Sequence, residues 1–193
     1  GMPGYGLSGV TGYPFDPARA RQLLADAGYA NMDDFPTLTY YTSGYGDVGG
    51  YDTAVITLWQ ENLGVTIQPV IIDPFTYYDE LYGGHVGNLF DSGWCADYPD
   101  PQNFLDVLYH SQSRQNVGGF RNAAIDALLE AARVEPDVDG RLRLYADIER
   151  MLVDEAPVVF TTHSLAAALV KPNVHNYILT PMGVRQWELV TKD

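Results

Sequence analysis

Cysteine, basic residues and long apolar runs are what this sequence is short of. A single cysteine, Cys95, stands among 193 residues, so no disulfide closes within the chain. That leaves the redox compartment open, since neither an oxidising nor a reducing setting is required. Lys and Arg number 11 against 25 Asp and Glu, for a formal net charge of −14. Nucleic acid is excluded as a partner, because its recognition needs a basic footprint, and an anionic membrane surface repels such a chain. The charge itself reads first as solubility. No apolar stretch approaches the ~18 residues that a bilayer crossing needs, and no secretory leader is legible. The four histidines, His85, His110, His163 and His175, are scattered. No pair has the i, i+4 or short-loop spacing of a metal site, so neither a metal nor any other cofactor is expected.

Catalytic signatures are missing too. Ser43 and Ser164 lie outside any G-x-S-x-G context. Cys95 has no legible His/Asn relay and reads as a small buried hydrophobe. Asp97 and Asp100 resemble a carboxylate pair, but nothing fixes their separation or raises one of them. A calcium site from Asp91, Asp97 and Asp100 matches no EF-hand loop spacing, and the prolines oppose one. The chain is therefore not expected to be an enzyme. An acidic enzyme or calcium-binding domain remains the alternative of another class.

What is present is enough apolar matter for a real core, 46% of residues, in strand and helix patterns. Residues 1–12 are Gly-, Pro- and Ser-rich and read as a linker or truncated lead-in. Asp16 and Pro17 start a helix with Ala20, Leu23, Leu24 and Ala27 on one face and Gly28 as its stop. Thr37–Thr42 and Val65–Ile72 read as strands, separated by a helix that Asp52 is expected to cap and Gly64 to end. A short helix follows Asp73-Pro74, then a short strand at Leu89-Phe90. Helices are expected from Pro101, around Ile125–Ala132, and over Gly140–Glu155 up to Ala156-Pro157. Strands are expected at Val158–Thr162 and Ala167–Val170, with an extended segment at Val184–Val190. This order predicts an α/β domain with a mixed sheet.

The segment from Gly93 to Pro101 stands apart, with Trp94, Cys95, Ala96, Asp97, Tyr98, Pro99 and Asp100 between those bounds. Its prolines fix φ and remove donors, so it is neither helix interior nor central strand. It reads as a rigid loop. Two accounts of it stand. Asp97, between Trp94 and Tyr98, holds a cationic ligand group; or the Trp fills the core and the acids cap the next helix. Asp100 fits the capping role before Pro101, and Asn103 reads as surface.

This segment resembles the signature of the extracytoplasmic solute-binding proteins of ABC transporters, in the oligopeptide/dipeptide/nickel-binding family (family 5). Tyr13–Pro17 with the helix to Tyr29, Gln60–Val65 and Leu169–Val174 resemble further stretches of that family, in its order. The resemblance implies the second lobe of a type II periplasmic-binding-protein fold. Residues 13–193 would be the C-terminal lobe, and the chain an excised part of a longer, two-lobed protein whose N-terminal lobe is missing. The implied role is the substrate-binding component of an ABC importer. That component captures peptides between two lobes at the extracytoplasmic face, secreted or lipid-anchored, and delivers them to the permease's transmembrane subunits. An oligosaccharide or nickel-chelate ligand is the alternative within that role. In peptide-binding members the Asp at the position of Asp97 pairs with the ligand's α-ammonium group. Trp94, Cys95, Ala96 and Tyr98 are expected to line the site with it. His85 corresponds to a region where some relatives place a basic residue against the ligand's carboxylate. Such relatives can also carry Arg three residues before the Trp; here that position is Asp91, so carboxylate recognition departs from the pattern.

Overall fold

Asp16 and Pro17 start the first helix in the computed structural model, which describes residues 9–162, 166–180 and 183–193. The Asp16 carboxylate accepts the Arg19 amide at 2.9 Å, and Pro17, which has no N–H to leave unpaired, opens helix α1 (Pro17–Asp26). The chain divides into two compact units, one of Tyr13–Gly93 and one built around Trp94–Asp193.

In the first unit, β1 (Leu38–Ser43) lies between β2 (Ile67–Ile72) and β3 (Leu89–Phe90), all parallel. Helix α2 (Gly50–Leu63) makes the crossover from β1 to β2, and α3 (Tyr77–Tyr82) lies between β2 and β3. Parallel neighbours require such crossovers. Gly64 ends α2 at φ 74°, a left-handed position that costs a residue with a side chain about 1–2 kcal/mol. Pro69 sits in β2, an edge strand, where a missing N–H is tolerated. Val65, Ile67, Tyr77 and Leu81 are the buried hydrophobic residues here. The apolar stripe expected on α1 is present but not buried, and Leu23 is half exposed.

The second unit is helical. Helix α4 (Gln102–Tyr109), α5 (Ala123–Val134) and α6 (Val138–Glu155) enclose Ile125, Leu129, Ala132, Tyr145, Ile148 and Leu152. The spacing of these residues on α5 and α6 is the i, i+3, i+4, i+7 stripe of an amphipathic helix. Asn122 caps α5, and Asp137 caps α6 by accepting the Gly140 amide at 2.7 Å, so α6 begins two residues before Gly140. It stops where Ala156 turns left-handed, φ 47°, just before Pro157. Further on, β4 (Val174–His175) and β5 (Thr191–Lys192) pair antiparallel. The α/β class is as expected, and parallel and antiparallel pairings fall in separate sheets.

Three local expectations fail. Asp52 does not cap α2, which starts two residues earlier at Gly50 with no side-chain cap. It instead accepts hydrogen bonds from Tyr40 and Thr42 of β1, at 3.0 and 2.7 Å. Val158–Thr162 and Ala167–Val170 form no strand, and their apolar side chains are exposed. A strand exists by its ladder, and no described residues pair with these two segments. Val184–Val190 is not extended throughout, because Trp187–Leu189 form a 3-10 turn. His163 and Ser164 lie outside the described residues.

Candidate functional site

Helix α4 builds the site from its first turn. Asn103, one residue inside the helix, is 1% exposed. Its Oδ1 accepts two hydrogen bonds, from the Trp94 indole N–H at 2.9 Å and from the Asp97 backbone N–H at 2.9 Å. Its Nδ2 donates toward Asp97 Oδ2 at a long 3.4 Å. One buried carboxamide therefore ties down two points of the loop. The surface role expected for Asn103 is wrong. The first turn of α4 turns it inward beneath the loop, and burial is stable because every donor it meets is paired.

Asp100 does cap α4. Its Oδ1 accepts the Gln102 amide at 3.0 Å, and its Oδ2 takes Arg141 Nη2 from α6 at 2.9 Å. Tyr98 donates its hydroxyl to Gln102 Oε1. Gln102 Nε2 in turn donates to Asp106 Oδ2 at 2.7 Å, and Asp106 is gripped by Arg133 of α5. An open cleft of about 330 Å³ adjoins this network, lined by Gln102, Asp106, Val107, His110, Gln112, Ser113 and Arg133. Most of those polar groups are already bonded to one another.

Asp97 differs from its acidic neighbours. Arg141 is committed to Asp100 and Arg133 to Asp106, while Asp97 has no ion-pair partner among the described residues. Its side chain is exposed, and only Oδ2 receives a hydrogen bond. The result is an acidic side chain restrained by a neutral donor, with no ion pair among the described residues.

The other expected site residues fall as follows. Trp94 is half-buried, fixed by its indole N–H. Ala96 is half-buried, and Tyr98 is exposed. Cys95 is exposed and unpaired, contrary to the buried hydrophobe expected. In an irregular loop it has no opposing face to pack against. His85 lies in the other unit, exposed, with Nδ1 2.9 Å from Glu80 Oε2. Among the described residues no three His, Cys, Asp or Glu side chains cluster as metal ligands. No helix among them is long and apolar enough to cross a membrane.

The first unit has its own polar cluster at the carboxyl ends of its strands. The Tyr77 hydroxyl, buried, donates to the Asp91 carbonyl at 2.5 Å, and the Tyr41 carbonyl lies 3.2 Å from the same oxygen. Burial, with the nearby Asp52 charge, pushes the Asp91 carboxyl above its usual range, against a smaller opposing effect of the Ser92 amide. Burial and the Asp52 carboxylate likewise push the Tyr40 phenol upward.

One unit thus holds a Trp–x–x–Asp loop tied down by Asn103, and the other a parallel β-α-β arrangement. Residues 1–116 match the family described as bacterial extracellular solute-binding proteins, family 5 Middle, and the chain belongs to that family. It is 30% identical over 179 residues to heme-binding protein A of Haemophilus influenzae, covering 90% of this chain and 32% of that protein. It is 31% identical over 159 residues to the periplasmic oligopeptide-binding protein OppA of Escherichia coli, covering 82% of this chain and 28% of that one. The solved structure of the Escherichia coli murein tripeptide binding protein MppA superimposes with a TM-score of 0.73 at 28% identity, over 91% of this chain and 34% of that one. The chain thus spans about a third of the length of these relatives.

Proposed function

We propose that this chain supplies one lobe of the substrate-binding component of an ABC importer, which captures peptides between two lobes. Residues 13–193 are its C-terminal lobe. The observation that carries the reading is Asp97, a carboxylate held in place but left without a cationic partner among the described residues. A peptide's α-ammonium group is the complement of such a charge. In a closed cleft the pair is strengthened by low dielectric and by charge-assisted hydrogen bonding. Trp94 and Tyr98 flank the anchor in sequence, with Cys95 and Ala96 between. Closure follows from ligand contacts that the open state lacks. The relatives named for oligopeptides and murein tripeptide support this reading. The protein works at the extracytoplasmic face, delivers its ligand to permease transmembrane subunits, and catalyses nothing.

A second reading keeps the transport role and changes the ligand. Asp91 stands where some peptide-binding relatives carry a basic residue, and an acidic side chain offers no cation to a ligand carboxylate. A sugar or a nickel chelate fits that departure better than a free C-terminus does.

Calorimetric titration of the full-length protein with a pool of di- to pentapeptides separates the two. Peptide binding in wild type that weakens at least about tenfold in Asp97→Asn, or about 1.4 kcal/mol, supports the first reading. No heat from any peptide sinks it and moves the ligand to sugars or chelates.

A further inference from the structure

Restraint without neutralisation is what Asn103 provides. A Lys or Arg in its place would hold Asp97 and also cancel its charge. The neutral carboxamide leaves that charge whole. Its Oδ1 is saturated by two donors at 2.9 Å, and the residue is almost wholly buried, so that oxygen is not offered to a ligand. The same oxygen receives both the ring that flanks the site and the backbone of the residue that carries the anchor.

We infer that Asn103 is the positioning residue for ligand recognition, aiming the Asp97 carboxylate and the Trp94 ring as one piece. The inference rests on the reading of Asp97 as the anchor for a ligand ammonium. Two donors on one carbonyl oxygen approach along its two lone pairs, so the angle between indole and loop backbone is fixed as well as their distance. Loss of that oxygen leaves two donors without a partner and frees the loop to rotate the carboxylate away. The base of this arrangement is itself stiff, since Asp100 joins the start of α4 to α6 and Asp106 joins its middle to α5.

The test uses the full-length protein and two probes: the di- to pentapeptide pool and the same pool N-acetylated. Hydrogen exchange across residues 94–98, read by mass spectrometry without ligand, gives a second measurement. In Asn103→Ala the segment is expected to exchange faster. Affinity for the free pool falls at least tenfold, and the preference for free over acetylated peptides shrinks. Asn103→Gln keeps a neutral carboxamide with both acceptor and donor and is expected to restore part of the protection. Equal losses on both pools overturn the inference, because a purely structural role lowers both together. Unchanged exchange in Asn103→Ala, beside an intact wild-type preference, overturns it alone. A wild type that binds neither pool instead defeats the peptide reading, and the recognition role of Asn103 falls with it.

Discussion

Asp106 of α4 and Arg133 of α5 form a two-pronged ion pair, Nε to Oδ2 and Nη2 to Oδ1, both at 2.7 Å. The carboxylate is 4% exposed, whereas the guanidinium side chain is 45% exposed. The pair is therefore asymmetric, and its worth lies on the Asp side, where an unpaired charge would be stranded.

Replacing Arg133 by Met is expected to destabilise the fold by about 2 kcal/mol, below the full value of a buried pair because Arg133 is half in solvent. Burial alone would raise the Asp106 carboxyl. Hydrogen bonds from Arg133 and Gln102, with the Arg133 charge, more than reverse that and hold it below the usual range. A carboxyl lower in the fold than in the unfolded chain stabilises fully above the unfolded value, about 4, and less as pH falls through the folded one. Urea unfolding from pH 6 to pH 2 checks both: wild type loses this stability on acidification, and Asp106→Asn loses less.

Asp91 has the opposite sign. Its carboxyl is raised by burial and by Asp52, so the fold favours its protonated form. Its contribution is present below the unfolded value and is lost as pH rises through the folded one. Asp91→Asn is expected to raise the melting temperature at pH 7, with the gain disappearing near pH 3. A variant less stable than wild type at pH 7 contradicts this.

Ile148 is fully buried between α5 and α6, whereas Leu23 on α1 is about half exposed. Ile148→Ala is expected to cost about 2–4 kcal/mol through transfer and cavity terms, and Leu23→Ala under about 0.5 kcal/mol. Denaturant midpoints for the two variants test whether the core sits in the helical unit as described.

Local chemistry was legible where one or two residues decide the outcome. Asp16-Pro17, Gly64 and Ala156-Pro157 mark helix ends by φ restriction and by donors supplied or removed, and the helices fall there. The stripe Ile125, Leu128, Leu129, Ala132 placed α5. Asp52 was misread because an acid near a helix start is a cap only if the helix begins beside it. Here two hydroxyls of β1 claim it instead. Val158–Thr162 has strand composition, but composition does not supply a neighbouring strand. Asp97 was singled out through the motif around it, and the structure leaves it exposed without an ion-pair partner among the described residues. Asn103 was missed because polar residues in a first helical turn mostly face water. The signal was its spacing, six residues from Asp97 and nine from Trp94, within reach of both from one turn.

Those short spacings also set an order of assembly. Strand β3 is two residues long and must find β1 across a long crossover; the Thr39 amide, for example, meets Asn88 Oδ1 at a separation of 49 residues. The contacts of Asn103 close loops of six and nine residues. The entropy of closing the longer loop is greater by about 2 kcal/mol, and non-local parallel pairing is correspondingly slow. The Trp94–Asp97 loop is therefore expected to be fastened to its helix during folding before the strand leading into it has docked.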